Sequence, residues 1–340
     1  MINFFLFLIF YNLLFVYYHK SFSKIYKLYD FPDNNRKIHK EQVPLLGGLI
    51  LVSNIIFFLV IDIFFIKLTD KHIFISLISY LSFFVGLFLF YLMGFFDDKF
   101  QLSANLKLLL MIFIISLFVF LDKNLILNDL KFSFYYSKIS LNYFSYFITI
   151  LCFLLFINAF NMLDGINGQA ASYAIFALII LIFKGIFVTA SVCLIISLLF
   201  FLYLNFRNKS FLGDSGTLLL GYLISYSYIK AYNFNEFFFT DEIFLIMSVP
   251  GYELLRLAVK RIINRNHPFK PDNSHIHHLI LKRESFIKTF LVIQILLSIP
   301  YLIYFFSSNF FYSFFVSLII YSSVVYIYSK EDRKDYKTLK

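Results

Sequence analysis

The residues of this 340-residue chain that are able to do chemistry fall into five short groups. Asp97 and Asp98 follow Gly94 at the end of an apolar run. At a membrane edge such a pair can hold a divalent cation or accept a proton; the plain alternative is a solvated helix end. Negative charge at a helix C-terminus opposes the dipole, which argues against a capping role. A second group, Asn158-x2-Asn161-x2-Asp164-Gly165-x-Asn167-Gly168, closes another apolar run. Spacing of three puts Asn158, Asn161 and Asp164 near one helical face, and the glycines then release the helix. Amide and carboxylate oxygens are hard ligands that suit Mg²⁺ and also bind sugar or base edges. Aligned polar groups running out of an apolar span are costly unless they are used.

The third group is Phe211-Leu212-Gly213-Asp214-Ser215-Gly216, at the start of a further run. A helix N-terminus there favours an anion, and the Asp214 carboxylate suits a metal equally well; an Asp N-cap is the structural alternative. The string copies the nucleophile turn of chymotrypsin-like proteases, but its setting is a membrane helix and not a β-barrel. In the fourth group, Arg36-Lys37-x-His39-x4-Pro44-x2-Gly47-Gly48, cations meet a proline and paired glycines. This reads as a tight basic turn whose glycine N–H groups approach an anion, or as a basic loop leading into a helix. The fifth, from His267-Pro268 to His275-x-His277-His278, lies in the most basic loop. No cysteine stands near enough to complete a zinc site, so histidines and arginines together fit a diphosphate better.

These groups must be positioned by membrane-spanning helices. Apolar residues make up 60% of the chain and charged ones 15%, with mean hydropathy +0.79. Soluble domains are far more charged, so a soluble enzyme, a disordered chain and a disulfide scaffold are excluded. Cys152 and Cys193 lie in apolar runs and read as small apolar residues. Eleven runs approach spanning length, near 2–19, 47–66, 73–92, 106–121, 143–157, 171–183, 187–203, 211–229, 241–255, 289–306 and 310–328. The expectation is an all-α polytopic membrane protein of about eleven helices. It reads as one integral-membrane catalytic domain over 1–340, ending in a short basic tail, 329–340. If 20–46 is cytoplasmic, the inside segments hold 23 of the 30 basic residues, and outside loops keep seven, among them Lys123 and Lys230. The positive-inside rule then puts the N-terminus outside, the C-terminus in the cytoplasm and all five groups at the cytoplasmic face. The net charge of +10 is thereby a matter of topology, with no nucleic acid implied.

Taken in order, the five groups resemble the polyprenyl-phosphate N-acetylhexosamine-1-phosphate transferase superfamily, glycosyltransferase family 4. The likeness runs from around residue 30 to 280 and includes the Asp98-to-Leu102 run and Lys107. The branch most similar is the bacterial undecaprenyl-phosphate N-acetylglucosaminyl-1-phosphate transferases. His275-Ile276-His277-His278 departs from the three consecutive histidines of the phospho-N-acetylmuramoyl-pentapeptide transferase branch, the alternative within the superfamily. The resemblance implies a multi-pass enzyme of the bacterial inner membrane with a cytoplasmic active site. Such an enzyme moves a sugar 1-phosphate from a UDP-sugar to undecaprenyl phosphate and releases UMP. This is the first membrane step of a cell-envelope polysaccharide; Mg²⁺ is required, Mn²⁺ is an alternative, and a homodimer is compatible.

By the same resemblance, Asp214 binds the metal with Asn161 as second ligand. Asp97 and Asp98 handle the lipid phosphate or the metal, and His278 joins them as catalytic. Asn158, Asp164 and Asn167 form the nucleotide-sugar helix end. Lys37, His39, Arg261, His275, His277 and His278 bind anionic groups. The chain departs from the family where Glu253 replaces Asp, Thr217 replaces Ser and Gln169 replaces Leu. Outside the superfamily, a secondary transporter with broken helices would place its carboxylates at the midplane, not at one face. A non-enzymatic scaffold would not require the aligned Asn-Asn-Asp face.

Overall fold

The computed structural model describes residues 2–32, 41–66, 74, 76–234, 238–265 and 274–329. Two compact units divide the chain: Met1–Leu130 with Ile139–Phe238, and Lys131–Lys138 with Phe239–Lys340. The first holds α1 (Ile2–Tyr17), α2 (His19–Tyr26), α3 (Gly47–Ile61), α4 (Leu77–Phe100), α5 (Ala104–Leu121), α6 (Ser145–Leu163), α7 (Gln169–Phe183), α8 (Val188–Asn205) and α9 (Gly213–Asn233). The second holds α10 (Thr240–Ile263), α11 (Ile276–Leu281), α12 (Phe286–Ser307) and α13 (Phe310–Ser329). Two short antiparallel ladders complete the described structure: β1 (Tyr29–Asp30) with β2 (Val43–Pro44), and β3 (Asp129–Phe132) with β4 (Tyr135–Ser140).

All eleven apolar runs fall on helices. This is a polytopic α-helical membrane protein. By length and composition, seven described helices are able to cross a membrane, or eight if α1 and α2, bent by 69°, act as one span. The other three runs fall short for different reasons. Helix α7 has only 15 residues. Helices α9 and α10 are long enough but carry polar and charged side chains, including Lys230 in α9 and Glu253 in α10.

Helix α9 is the axis of the first unit, with every residue from Ser215 to Tyr232 buried. A helix enclosed by protein is free to carry polar groups that lipid would not tolerate, provided each finds a partner. The sequence placed Lys230 in an outside loop. In the structure its ammonium is fully buried in α9, 2.6 Å from Asp122 and 3.1 Å from the Ser79 hydroxyl. Tyr226 donates to the Ser79 carbonyl, and Ser82 donates to Asp122. A second buried polar pair joins α1 to α3. The amides of Asn12 and Asn54 donate to each other's oxygens at 2.7 and 3.0 Å, and each also donates to the carbonyl four residues before it.

The paired glycines do not serve an anion. The N–H groups of Gly47 and Gly48 donate to the carbonyls of Phe211 and Leu212, at 3.0 and 3.2 Å. A Cβ at Gly47 would overlap Leu212, and one at Gly48 would overlap Ser215. The glycines thus let the start of α3 lie directly against the chain entering α9. Phe211 in turn donates to the Pro44 carbonyl, tying the β1–β2 ladder to the same strip.

Candidate active site

The first unit brings the acidic groups together through the ends of α4, α6 and α9. Helix α4 stops at Gln101, which takes a left-handed backbone (φ 52°), and Ser103 caps α5. This tight reversal turns Lys107 back onto the end of α4, where it forms an ion pair with Asp97. Asp97 also accepts the Leu102 N–H at 2.9 Å. The Lys107 ammonium lies 3.2 Å from Asp214 as well, so one cation bridges two carboxylates from different helices.

Asp98 has another task. One of its oxygens accepts the N–H of Asp214 at 2.8 Å and the other the N–H of Ser215 at 3.0 Å. The aspartate pair was not expected to cap a helix, because its own helix ends there. Asp98 instead caps the N-terminus of α9 from across the helix interface, where its charge is favoured by that helix's dipole. Close approach makes this possible: a Cβ at Gly94 would overlap the Asp214 carbonyl and the Ser215 Cα. Gly213, at φ 72°, supplies the left-handed turn ahead of Asp214.

Asn161 also reaches Asp214, and its side-chain oxygen accepts from Thr217 Oγ1 at 2.8 Å. The Thr217 hydroxyl fixes the Asn161 amide. Asp164 ends α6 in a position crowded by protein yet open to solvent. Its carboxyl is pushed up to about 7, first by desolvation and then by repulsion from Asp214, Asp98 and Asp30. The local excess of negative charge is thus concrete.

The rest of the Asn-rich segment does not converge on Asp214. Asn158 donates to the Leu154 carbonyl at 2.8 Å and contacts Met111 sulfur on α5. Asn167 pairs with Asn208 at 2.7 Å on the surface. Sequence reasoning missed Asn205, at the end of α8. It accepts the Gly168 N–H at 2.6 Å and donates to the Ser210 carbonyl at 2.8 Å, joining the two loops that carry Asp164 and Asp214. Its only signal was a lone amide closing an apolar helix. Tyr26 of α2 was missed too; its hydroxyl lies 3.1 Å from that of Tyr91 and within reach of Ser215.

The second unit holds the histidines. Ring centroids of His277 and His278 are 4.4 Å apart, and those of His275 and His277 are stacked at 5.2 Å. His277 is buried. Desolvation first, then the nearby His278, His275 and Arg256, hold its imidazole well below the ordinary histidine range, in the neutral form. Arg261 is buried at the end of α10. Lys37 and His39 lie outside the described residues.

Among the described residues, no three His, Cys, Asp or Glu side chains form a ready-made metal cage. Mg²⁺ does not need one, since it keeps several waters and takes one or two carboxylates beside substrate phosphates. The donors at Asp97 and Asp214 are of the right kind. Lys107, bridging them, shows that this position already stabilises positive charge.

Comparisons with known proteins show what this membrane-embedded helical arrangement is similar to. The profile of glycosyl transferase family 4 matches residues 80–232, the stretch that carries Asp97, Asp98, Asn161, Asp164 and Asp214. Over that stretch the chain is similar to the family. It is 27% identical over 256 residues to the probable undecaprenyl-phosphate N-acetylglucosaminyl 1-phosphate transferase of Bacillus subtilis, covering 73% of this chain and 68% of that protein. It is also 27% identical over 304 residues to the undecaprenyl-phosphate alpha-N-acetylglucosaminyl 1-phosphate transferase of Escherichia coli O157:H7, covering 84% and 79%.

Proposed function

We propose that this protein transfers N-acetylglucosamine 1-phosphate from UDP-N-acetylglucosamine to undecaprenyl phosphate and releases UMP. Similarity to the two transferases above supports the reaction, and the Asp97–Lys107–Asp214 bridge is the single structural observation that carries it. Both substrates are anions, and one of them cannot leave the membrane. In this reading α7, α9 and α10 cross the bacterial inner membrane enclosed by protein beside the eight apolar spans, and the distribution of basic residues puts the C-terminus and the site in the cytoplasm.

The lipid phosphate oxygen attacks the β-phosphorus of the UDP-sugar. A P–O bond forms as the bond to UMP breaks, and UMP leaves with that electron pair. A phosphate monoester with a second pKa near 6 is mostly ionised at neutral pH and needs little help from a base. Asp97 is therefore not needed as a base, and its carboxylate serves to hold a cation. Asp214 and Asp97 would hold Mg²⁺, with Asn161 orienting Asp214. When bound, the ion neutralises the diphosphate and the leaving group. Lys107 screens charge beside the carboxylates, and the histidines and Arg261 of the second unit serve as anion-binding groups. Asp98 acts through Asp214, by fixing the turn that carries it.

The test is UMP release by membranes carrying the protein. UDP-N-acetylglucosamine with undecaprenyl phosphate should give UMP, and omission of the lipid phosphate should abolish it. Release from the UDP-muramoyl-pentapeptide instead would move the protein to the other branch of the superfamily.

A further inference from the structure

The histidine stretch is short and local: α11 has six residues. Something must fix its start. One face of α10 supplies Glu253, Arg256 and Lys260, spaced i, i+3 and i+7. Glu253 is buried and accepts four hydrogen bonds, a full set for a carboxylate. One oxygen takes Arg256 Nη2 at 2.7 Å and the Ile276 N–H at 2.8 Å. The other takes Arg256 Nε at 2.9 Å and the Tyr321 hydroxyl at 2.6 Å. Arg256 also donates to the Ser274 carbonyl at 2.7 Å, and Lys260 donates to the Ser274 hydroxyl at 2.8 Å. The residues on either side of His275 are therefore both pinned, and the central carboxylate is oriented by a tyrosine from α13, the last described helix.

We infer that Glu253 and Tyr321 are positioning residues, which hold His275, His277 and His278 in their working arrangement. A buried carboxylate needs every one of its bonds, because losing one partner leaves a desolvated charge unsatisfied. Tyr321 donates to Glu253, Glu253 orients the Ile276 N–H, and that amide starts the helix bearing His277 and His278. The inference rests on the reading of the histidines as part of the transferase.

The experiment combines amide hydrogen exchange with kinetics on the full-length protein in detergent, for Glu253→Gln, Glu253→Asp and Tyr321→Phe. Exchange across 274–281 should quicken tenfold or more in Glu253→Gln and several-fold in Tyr321→Phe. Exchange in α10 and α12 should stay unchanged, which shows that the variants fold. UMP release should fall in the same order, with the loss in KM for the UDP-sugar and little change in KM for the lipid phosphate. Glu253→Asp should restore part of both readouts. Lost activity without faster exchange would overturn the inference, since Glu253 would then act directly; so would faster exchange with unchanged activity. If the wild type releases no UMP, the proposed function fails. The exchange pattern then decides alone whether Glu253 and Tyr321 hold the histidine segment.

Discussion

Asp98, at the end of α4, accepts the backbone N–H groups of both Asp214 and Ser215 at the start of α9. One carboxylate thus sets the place of another without touching its side chain. Asp98→Asn keeps one acceptor and loses the charge. It should cost about 1–2 kcal/mol, in the range of a lost helix cap, and lower turnover more than tenfold because the Asp214 turn relaxes. Thermal unfolding in detergent and UMP release measure the two effects. Full activity in Asp98→Ala would show that the cap does not matter to the site.

Asp214→Asn preserves size and hydrogen bonding but removes the charge facing Lys107. Stability should hardly change. UMP release should fall on the order of a hundredfold or more, because charge stabilisation in the transition state is lost. Near-normal turnover at low Mg²⁺ would move the metal role to another carboxylate. Asn161→Ala should be milder.

Lys107→Gln leaves Asp97 and Asp214 facing each other without their shared cation. Tighter apparent binding of Mg²⁺ is expected, since an added cation no longer competes with an ammonium. Turnover should drop at the same time. Titration of activity with Mg²⁺ separates the two effects, and a weaker apparent affinity would argue against a metal between these carboxylates.

The Asp122–Lys230 pair is sealed inside the first unit, where breaking one side strands the other. Asp122→Ala should destabilise by about 3–5 kcal/mol, whereas the double change Asp122→Leu with Lys230→Met should come close to wild type. Melting temperatures of the three proteins test this. Equal losses in the single and double variants would mean that the pair has a role beyond satisfying its own charges.

His277 gives a pH dependence with a definite sign. Its folded-state pKa lies below that of the unfolded chain, so the unfolded state binds the additional proton. Stability should therefore be level above about pH 6.5 and fall as the pH drops below it. His277→Gln should flatten that fall. An unchanged acid limb in the variant would place the dependence on another group.

Much of this arrangement was legible in the sequence, because lipid enforces simple rules. Apolar runs had to be helices, and polar groups at their ends had to have a use. Asp97, Asp98, Asn161, Asp164 and Asp214 do come together. What was not legible depends on partners far apart in the chain. Lys230 looks like a loop residue until Asp122, more than a hundred positions away, is seen beside it. Gly47 and Gly48 look like an anion cradle until Phe211 and Leu212 claim their N–H groups. Asn205 gave no periodic signal at all, since a bridge between two loops has none.

The Asn12–Asn54 pair bears on how the chain enters the bilayer during synthesis. When α1 emerges, Asn12 has only the Leu8 carbonyl as a partner, and its amide oxygen meets hydrocarbon unmatched. The matching amide arrives 42 residues later, on α3. Each helix then cancels the other's polar liability, so the first two long helices gain by leaving the insertion machinery as a hairpin, not one at a time. The same chemistry sets their axial register: a one-residue slide would part the two buried amides and leave their polar atoms unmatched inside the protein.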